Sequence, residues 1–420
     1  MMESLLSQEN LITALKRVEA NKGSHGVDGM SVKEIRTHIL QNWHILREQL
    51  EKGAYEPSPV RRVEIPKPNG GTRFLGIPTV IDRFIQQAIT QVLTPIFDPM
   101  FSEQSYGFRP KRRGHDAVRK ARRFMQEGYR IVVDIDLEKF FDRVHHDRLM
   151  AKLAERIPDK TLLKLIRKYL QSGVMVNGLV KPTTEGAPQG GPLSPILSNI
   201  VLDELDKELE KRNLRFVRYA DDCNIYVKTW KSGLRVKRSV TEFIENKLKL
   251  KVNQEKSAID RPWKRKFLGF TFSWDKKNPK VRISKVSMQR VKAKIREITS
   301  RRSPVAMEMR IKKLNQYLTG WCGYYALIDT PTIFRELDEW IRRRLRMCLW
   351  KQWKKPKTKV RKLTGLGIPR EKAYEWGNSR KKYWRIACSP ILHRTMNNKF
   401  WSNQGLRSLM DRYKYLRNMT

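Results

Sequence analysis

Two short segments combine strongly β-forming residues with carboxylates, and that conflict constrains the fold more than any other feature of the chain. Residues 129–137 read YRIVVDIDL, where Ile131, Val132, Val133 and Ile135 make an apolar strand that also carries Asp134 and Asp136. Strand side chains alternate between faces, so these two carboxylates share one face. Residues 214–228, LRFVRYADDCNIYVK, form two β-rich runs that meet at Asp221 and Asp222, a hairpin with an acidic tip. Carboxylates on apolar strands are costly unless something positive compensates. A divalent cation would do so: Mg²⁺ takes oxygen ligands and is held by one or two carboxylates together with substrate phosphates. Two such ions about 3.5–4 Å apart can clamp both the attacking and the leaving oxygen of a phosphoryl transfer. Alone, an Asp-Asp pair reads equally well as an acidic turn.

Charge supplies the second clue. The chain holds 87 Lys and Arg against 43 Asp and Glu, a net charge of +44 in 420 residues. So basic a chain repels itself unless a polyanion covers it, and nucleic acid is the obvious one. A membrane surface or a merely basic soluble protein is the blander reading. No run of 18 apolar residues is present, so no spanning helix is expected. The start, MMESLLSQEN, lacks the basic and apolar regions of a secretory signal. Cys223, Cys322, Cys348 and Cys388 lie far apart with no CxxC pair. Zinc-ribbon, zinc-knuckle and disulfide frameworks are therefore excluded, and a reducing cytoplasm fits.

Residues 1–55 read as helical, with Leu11, Leu15, Val18, Ile35 and Ile39 at helical spacing, broken by the glycine-rich loop 23–31. Residues 61–78 read as a hairpin around Asn-Gly-Gly. Beyond residue 280 the pattern is helical and basic. One helix carries Ile311, Leu314, Leu318 and Trp321 on a face; the next carries Leu337, Ile341, Leu345 and Leu349, with Arg342, Arg343, Arg344 and Arg346. LTGLGIP at 363–369 marks a break before a basic tail containing Trp376, Trp384 and Trp401, a composition suited to nucleic acid.

Tyr219-Ala220-Asp221-Asp222 resembles the YxDD box of reverse transcriptases, in the form found in group II intron reverse transcriptases, or maturases. VDIDLEKFFD (133–142) is similar to their first catalytic box, and GAPQGGPLSPILSNIVLDELD (186–206) to their PQG box and following helix. SYGFRP (105–110), LKVNQEKS (250–257), FLGF (267–270), GVDGMS (26–31) and LNQYLTGWCGYYALID (314–329) resemble further boxes in the same order, the last being the maturase, or thumb, region.

The resemblance implies an α+β right-hand polymerase. Fingers and palm with an antiparallel sheet would cover 1–278, a helical thumb 279–358 and a small DNA-binding segment 359–420. It implies two Mg²⁺ ions held by Asp136, Asp221, Asp222 and the Leu137 backbone carbonyl, with Asp134 as a structural carboxylate. Lys67, Arg73, Gln189 and Lys256 would bind the incoming dNTP, and Phe141 would exclude a ribose 2′-OH. Tyr219, Phe267, Leu268 and Gly269 would support the primer; the dense arginines of the second basic helix, apart from the resemblance, suggest Arg343 and Arg346 as contacts to template and primer phosphates. His145 and His146 read as surface or helix-start residues. The implied partners are group II intron RNA, an RNA template with a DNA primer, target DNA and dNTPs, with no membrane. The missing CxxC pairs imply that the family's endonuclease domain is absent, as in the compact bacterial class C form. Two other readings stay open: an RNA-binding maturase without polymerase activity, and a free-standing cellular reverse transcriptase.

Overall fold

A computed structural model describes residues 1–66, 70–176, 179–181, 185–186 and 190–419, the Arg73 side chain excepted. These residues form two compact units, Met1–Arg261 and Pro262–Thr420.

The strands of the first unit are β1 (Val60–Pro66), β2 (Thr72–Ile77), β3 (Ile131–Ile135), β4 (Val174–Val176), β5 (Leu179–Lys181), β6 (Arg215–Tyr219), β7 (Asp222–Val227) and β8 (Ala258–Asp260). One sheet runs β2-β1-β4-β5, the other β6-β7-β3-β8. The hairpin expected at 61–78 is β1 and β2, paired antiparallel from Arg61 opposite Ile77 to Pro66 opposite Thr72. Gly70 and Gly71 make its turn possible at φ +88° and +79°. β1 also pairs parallel with β4, so this first sheet is mixed.

The second sheet is antiparallel throughout. Its strand alternation sends Ile131, Val133, Ile135, Phe216, Cys223 and Ile225 into the main core. The Val80–Phe97 helix is buried along most of its length. It starts at Thr79, whose hydroxyl accepts from Asp82 N at 3.0 Å. Asp82 is buried, and its cost is offset by bonds from the Tyr55 hydroxyl at 2.8 Å and the Thr79 hydroxyl at 2.6 Å. Burial pushes its carboxyl up from the usual range. The N-terminal helices Gln8–Asn21 and Ile35–Glu51 occupy the segment read as helical.

The second unit opens with the hairpin β9 (Phe270–Phe272) and β10 (Val281–Ile283), followed by helices Lys285–Ile298, Met307–Tyr325 and Thr332–Gln352. The boundaries expected after 278 and 358 both fall inside this unit, and packing runs across each position. The Phe270 ring lies 5.4 and 5.1 Å from Tyr324 and Tyr325. Val281 N–H donates to Asp329 Oδ2 at 2.9 Å. In the tail, Tyr413 stacks on Phe334 at 4.7 Å, and Asp338 accepts from Leu409 N at 2.9 Å and Met410 N at 3.1 Å. Trp401, read from composition as a nucleic-acid contact, is instead fully buried core. Among the described residues no helix is long and apolar enough to cross a membrane.

Candidate active site

β3 and β7 set Asp134 opposite Asn224 and Ile135 opposite Cys223. Extending that register by one residue places Asp136 opposite Asp222, while β6 sets Tyr219 opposite Asp222. Opposed residues share a face, so Asp136, Asp222 and Tyr219 meet at one end of the sheet, with Asp134 one pair deeper. Ala220 and Asp221 form the connecting turn, and Ala220 holds φ +56° in the left-handed region that strains a non-glycine residue.

The chain after β3 is fixed by backbone bonds. Asp136 N–H donates to Ser257 Oγ at 2.9 Å, and its carbonyl accepts from Asn253 N at 2.8 Å. Glu138 N–H donates to Lys251 O at 2.8 Å, flanking an antiparallel bridge of Leu137 with Val252. Those bonds use the groups on either side of Leu137, so its own carbonyl faces the opposite edge, where β7 lies. Lys256 Nζ stands 3.5 Å from Asp136 Oδ1, bringing a cation to the carboxylate.

Phe141 is half-buried and meets Phe140 edge-on, ring centroids 5.1 Å apart. Gly186, at φ +93°, lies so close that a Cβ there would sit 2.8 Å from the Phe141 carbonyl. A Cβ on Gly190 would meet Gly76 O at 2.4 Å, and one on Gly191 would meet Gln86 Oε1 at 2.3 Å. Gly186 and Gly190 thus sit where backbone, of Phe141 and of Gly76 on β2, leaves no room for a side chain. Gln189 and Lys67 lie outside the described residues. Arg73 is on β2, opposite Ile65. His145 and His146 do start a helix, His146–Ala154, with His145 at its N-cap, but His146 is buried rather than on the surface, with Nε2 2.6 Å from Gly186 O.

Behind the acidic turn lies a network that the sequence reading missed. Arg218 donates to both oxygens of Asp206, at 2.7 and 2.5 Å, to Asn199 Oδ1 at 3.1 Å and to Ala220 O at 2.8 Å. The pair is sealed, at 1% and 0% side-chain exposure. Asn199 also donates to Gly107 O at 2.9 Å, and a Cβ on Gly107 would come within 2.2 Å of Ala220 N. The SYGFRP segment is therefore pressed against the turn. Its Arg109 is spent on Asp98 and the Ser102 carbonyl, at 2.7 and 2.6 Å. Cys223, next to Asp222, is no nucleophile: burial foremost pushes its thiol well up.

Among the described residues no group of three His, Cys, Asp or Glu side chains is drawn together tightly enough to be a finished metal site. The donor chemistry still suits Mg²⁺, since Asp136, Asp221 and Asp222 offer hard oxygens at the ends of adjacent strands. Asp221 is half-buried and Asp222 exposed.

In the second unit, Leu268 and Gly269 turn the chain at φ +50° and +83° between Phe267 and Phe270, and the Tyr324 hydroxyl donates to Leu268 O at 2.8 Å. Arg343 is half-buried, with its guanidinium 3.8 Å over the Trp384 ring. Arg346 departs from the expectation of a phosphate contact. It is only 4% exposed and donates to Ala387 O at 2.8 Å and Met396 O at 3.4 Å. Burial lowers its guanidinium to about 10, and its role is to tie the tail to the Thr332–Gln352 helix.

An antiparallel sheet that brings carboxylates to the ends of neighbouring strands is the palm of a template-directed nucleic-acid polymerase. Residues 65–272 match the family model for reverse transcriptase (RNA-dependent DNA polymerase), and residues 288–365 match that for the group II intron, maturase-specific domain. The chain is 33% identical over 296 residues to Protein YkfC of Escherichia coli (strain K12), covering 61% of this chain and 78% of that one. It is 31% identical over 339 residues to the group II intron-encoded protein LtrA of Lactococcus lactis subsp. cremoris, covering 63% of this chain but only 55% of LtrA. A solved partial Cas6-RT-Cas1–Cas2 complex aligns at 26% identity and a TM-score of 0.38, over 59% of this chain and 43% of that one. The chain belongs to the group II intron reverse transcriptase/maturase family, whose α+β right-hand fold it shares.

Proposed function

We propose that this protein copies an RNA template into DNA from a DNA primer, and also binds a group II intron RNA to assist its splicing and its insertion into target DNA. The observation that carries the reading is the strand register, which sets Asp136 opposite Asp222 beside the turn bearing Asp221. In this reading the fingers and palm span 1–278, the thumb 279–358 and the DNA-binding segment 359–420, and the protein works in the cytoplasm.

The primer 3′-OH attacks the α-phosphate of a dNTP and pyrophosphate leaves. Two Mg²⁺ ions, when bound, would supply positive charge to the attacking and leaving oxygens. Asp136, Asp221, Asp222 and the Leu137 carbonyl would hold them. Lys256, with Lys67, Arg73 and Gln189, would bind the triphosphate, Lys acting as a point charge and Arg as a fork. The Phe141 ring would crowd a 2′-OH. Tyr219, Phe267, Leu268 and Gly269 would position the primer end, and Arg343 would reach nucleic-acid phosphate. No side-chain nucleophile is required, so the protein's part is positioning and charge stabilisation.

The test is extension of a DNA primer on an RNA template with dNTPs and Mg²⁺, with chelator as the control. The reading expects full-length cDNA that disappears with the metal. Tight binding of structured intron RNA without any extension would favour the maturase that has no polymerase activity.

A further inference from the structure

Of the buried polar side chains that the reaction does not use, His146 has the most consequential partner. It opens the His146–Ala154 helix, which Leu149, Met150 and Leu153 anchor in the main core. Its Nε2 lies 2.6 Å from Gly186 O. A carbonyl brings no proton, so the ring is the donor and carries its hydrogen on Nε2. The same stretch of chain grips Gly186 a second time, its N–H donating to Val144 O at 2.9 Å. Both backbone groups of this one buried glycine are thus held by residues 144–146. An apolar side chain would pack as well at the helix start, but it would leave the buried carbonyl unpaired.

The grip has a direction. Gly186 holds φ +93°, and a Cβ on it would stand 2.8 Å from Phe141 O and 3.0 Å from Asp142 Cα. The glycine therefore bears directly on the backbone of Phe141. That backbone has little support of its own. Phe140–Arg143 is a single 3-10 turn, entered through Lys139 at φ +49° and closed by Asp142 N–H on Lys139 O at 2.9 Å. Such turns have poorer hydrogen-bond geometry than an α-helix and depend on what packs against them. Phe140 is sunk in the core, whereas Phe141 is only half-buried. The rotamers open to its ring follow from its backbone angles, so whatever fixes the turn also aims the ring.

We propose that His146 is a positioning residue for sugar selection: through Gly186 it fixes the backbone of Phe141, and with it the ring that excludes a ribose 2′-OH. The inference deepens the polymerase reading above and rests on its assignment of Phe141 as the gate. His146 itself touches neither nucleotide nor metal, so it acts on which sugar is accepted.

The experiment uses the full chain on an RNA template with a DNA primer and measures kcat/KM for dATP and for ATP opposite a template uracil, beside a thermal melt. His146→Leu keeps apolar bulk and removes the donor. It should lower the dATP:ATP preference about tenfold, the fold-change carried by one hydrogen bond of about 1.4 kcal/mol. His146→Gln, whose amide nitrogen donates from a similar reach, should keep the wild-type preference. A merely structural role would lower the melting temperature of His146→Leu and leave the preference untouched. If His146→Leu does not fold, His146→Asn replaces it, because its shorter amide falls short of Gly186 O. Phe141→Ala is the control for the gate. A lowered preference in Phe141→Ala with an unchanged one in folded His146→Leu or His146→Asn overturns the proposal and leaves the gate standing. An unchanged preference in Phe141→Ala overturns the gate, and the proposal falls with it.

Discussion

Removing both charges of the Arg218–Asp206 pair, in the variant Arg218→Met with Asp206→Leu, separates two jobs that the pair performs. One is structural. With side chains 1% and 0% exposed, removing a single partner would strand a buried charge and cost about 3–5 kcal/mol. That is a large part of the roughly 5–15 kcal/mol holding a typical domain together. Replacing both partners by apolar groups of similar volume is often near neutral for the pair itself, but it orphans the buried Asn199 Oδ1 and Ala220 O acceptors, so the double variant should fold yet melt below wild type, by about 1–3 kcal/mol for each acceptor left unpaired. The second job is local. Arg218 donates to Ala220 O at 2.8 Å, and Ala220 is held at φ +56° between Tyr219 and Asp221. A hydrogen bond from a charged donor contributes about 1.5–3 kcal/mol. Losing it lets the turn relax, and the same energy taken from the transition state lowers kcat about 10- to 150-fold. The dNTP KM should stay within about threefold, because Arg218 is buried and touches no substrate. The assays are a thermal melt and primer extension on an RNA template at varied dNTP. A double variant that stays folded at the assay temperature and extends at the wild-type rate would refute the positioning role.

Three further outcomes are expected. Phe141→Ala should raise incorporation of ribonucleotides relative to deoxyribonucleotides at matched concentrations, whereas an unchanged ratio with retained activity would return Phe141 to packing beside Phe140. Arg346→Ala should lower stability by roughly 1.5–3 kcal/mol, seen in a melt, because it orphans the Ala387 and Met396 carbonyls; its salt slope for RNA binding should stay at the wild-type value. Asp203, raised to about 6 by burial, binds a proton in the folded chain that it releases when unfolded, so its contribution to stability falls as pH rises from the usual carboxylate range through 6. Asp203→Asn should therefore melt above wild type at pH 7 but not at pH 4, and a constant difference across that range would show the raised carboxyl to be immaterial.

The strands and their acidic tips were legible because apolar alternation and the two Asp clusters are local signals. The hairpin of β1 and β2 was equally local, through its paired glycines. Arg346 was misread for a reason of range. A helix with Arg342, Arg343, Arg344 and Arg346 looks like a charged face, but Arg346 is covered by Ala387, Met396 and His393, some 40 to 50 residues on. Periodicity within a helix does not reveal which polar stripe a distant segment will cover. The same holds for Trp401, whose basic surroundings suggested an exposed contact; His146 was legible as a helix start, but not its burial against Gly186, 40 residues on. Arg218 could have been found. It is two residues from Phe216 on one strand and so shares its core face, and a guanidinium placed there demands a buried acid. The close approaches of Gly107 and Gly190 could not, because each meets backbone more than 90 residues away.

The central claim is that Asp136, Asp221 and Asp222 form one metal-dependent catalytic centre. Its most direct test is single-nucleotide incorporation by Asp222→Ala under single-turnover conditions, at saturating RNA template and DNA primer, beside a titration of RNA affinity. The account predicts a fall of about a hundredfold or more in the incorporation rate with RNA affinity unchanged, because one ligand is lost and none of the 87 basic residues is touched. Incorporation within about tenfold of wild type, with RNA binding intact, would contradict it.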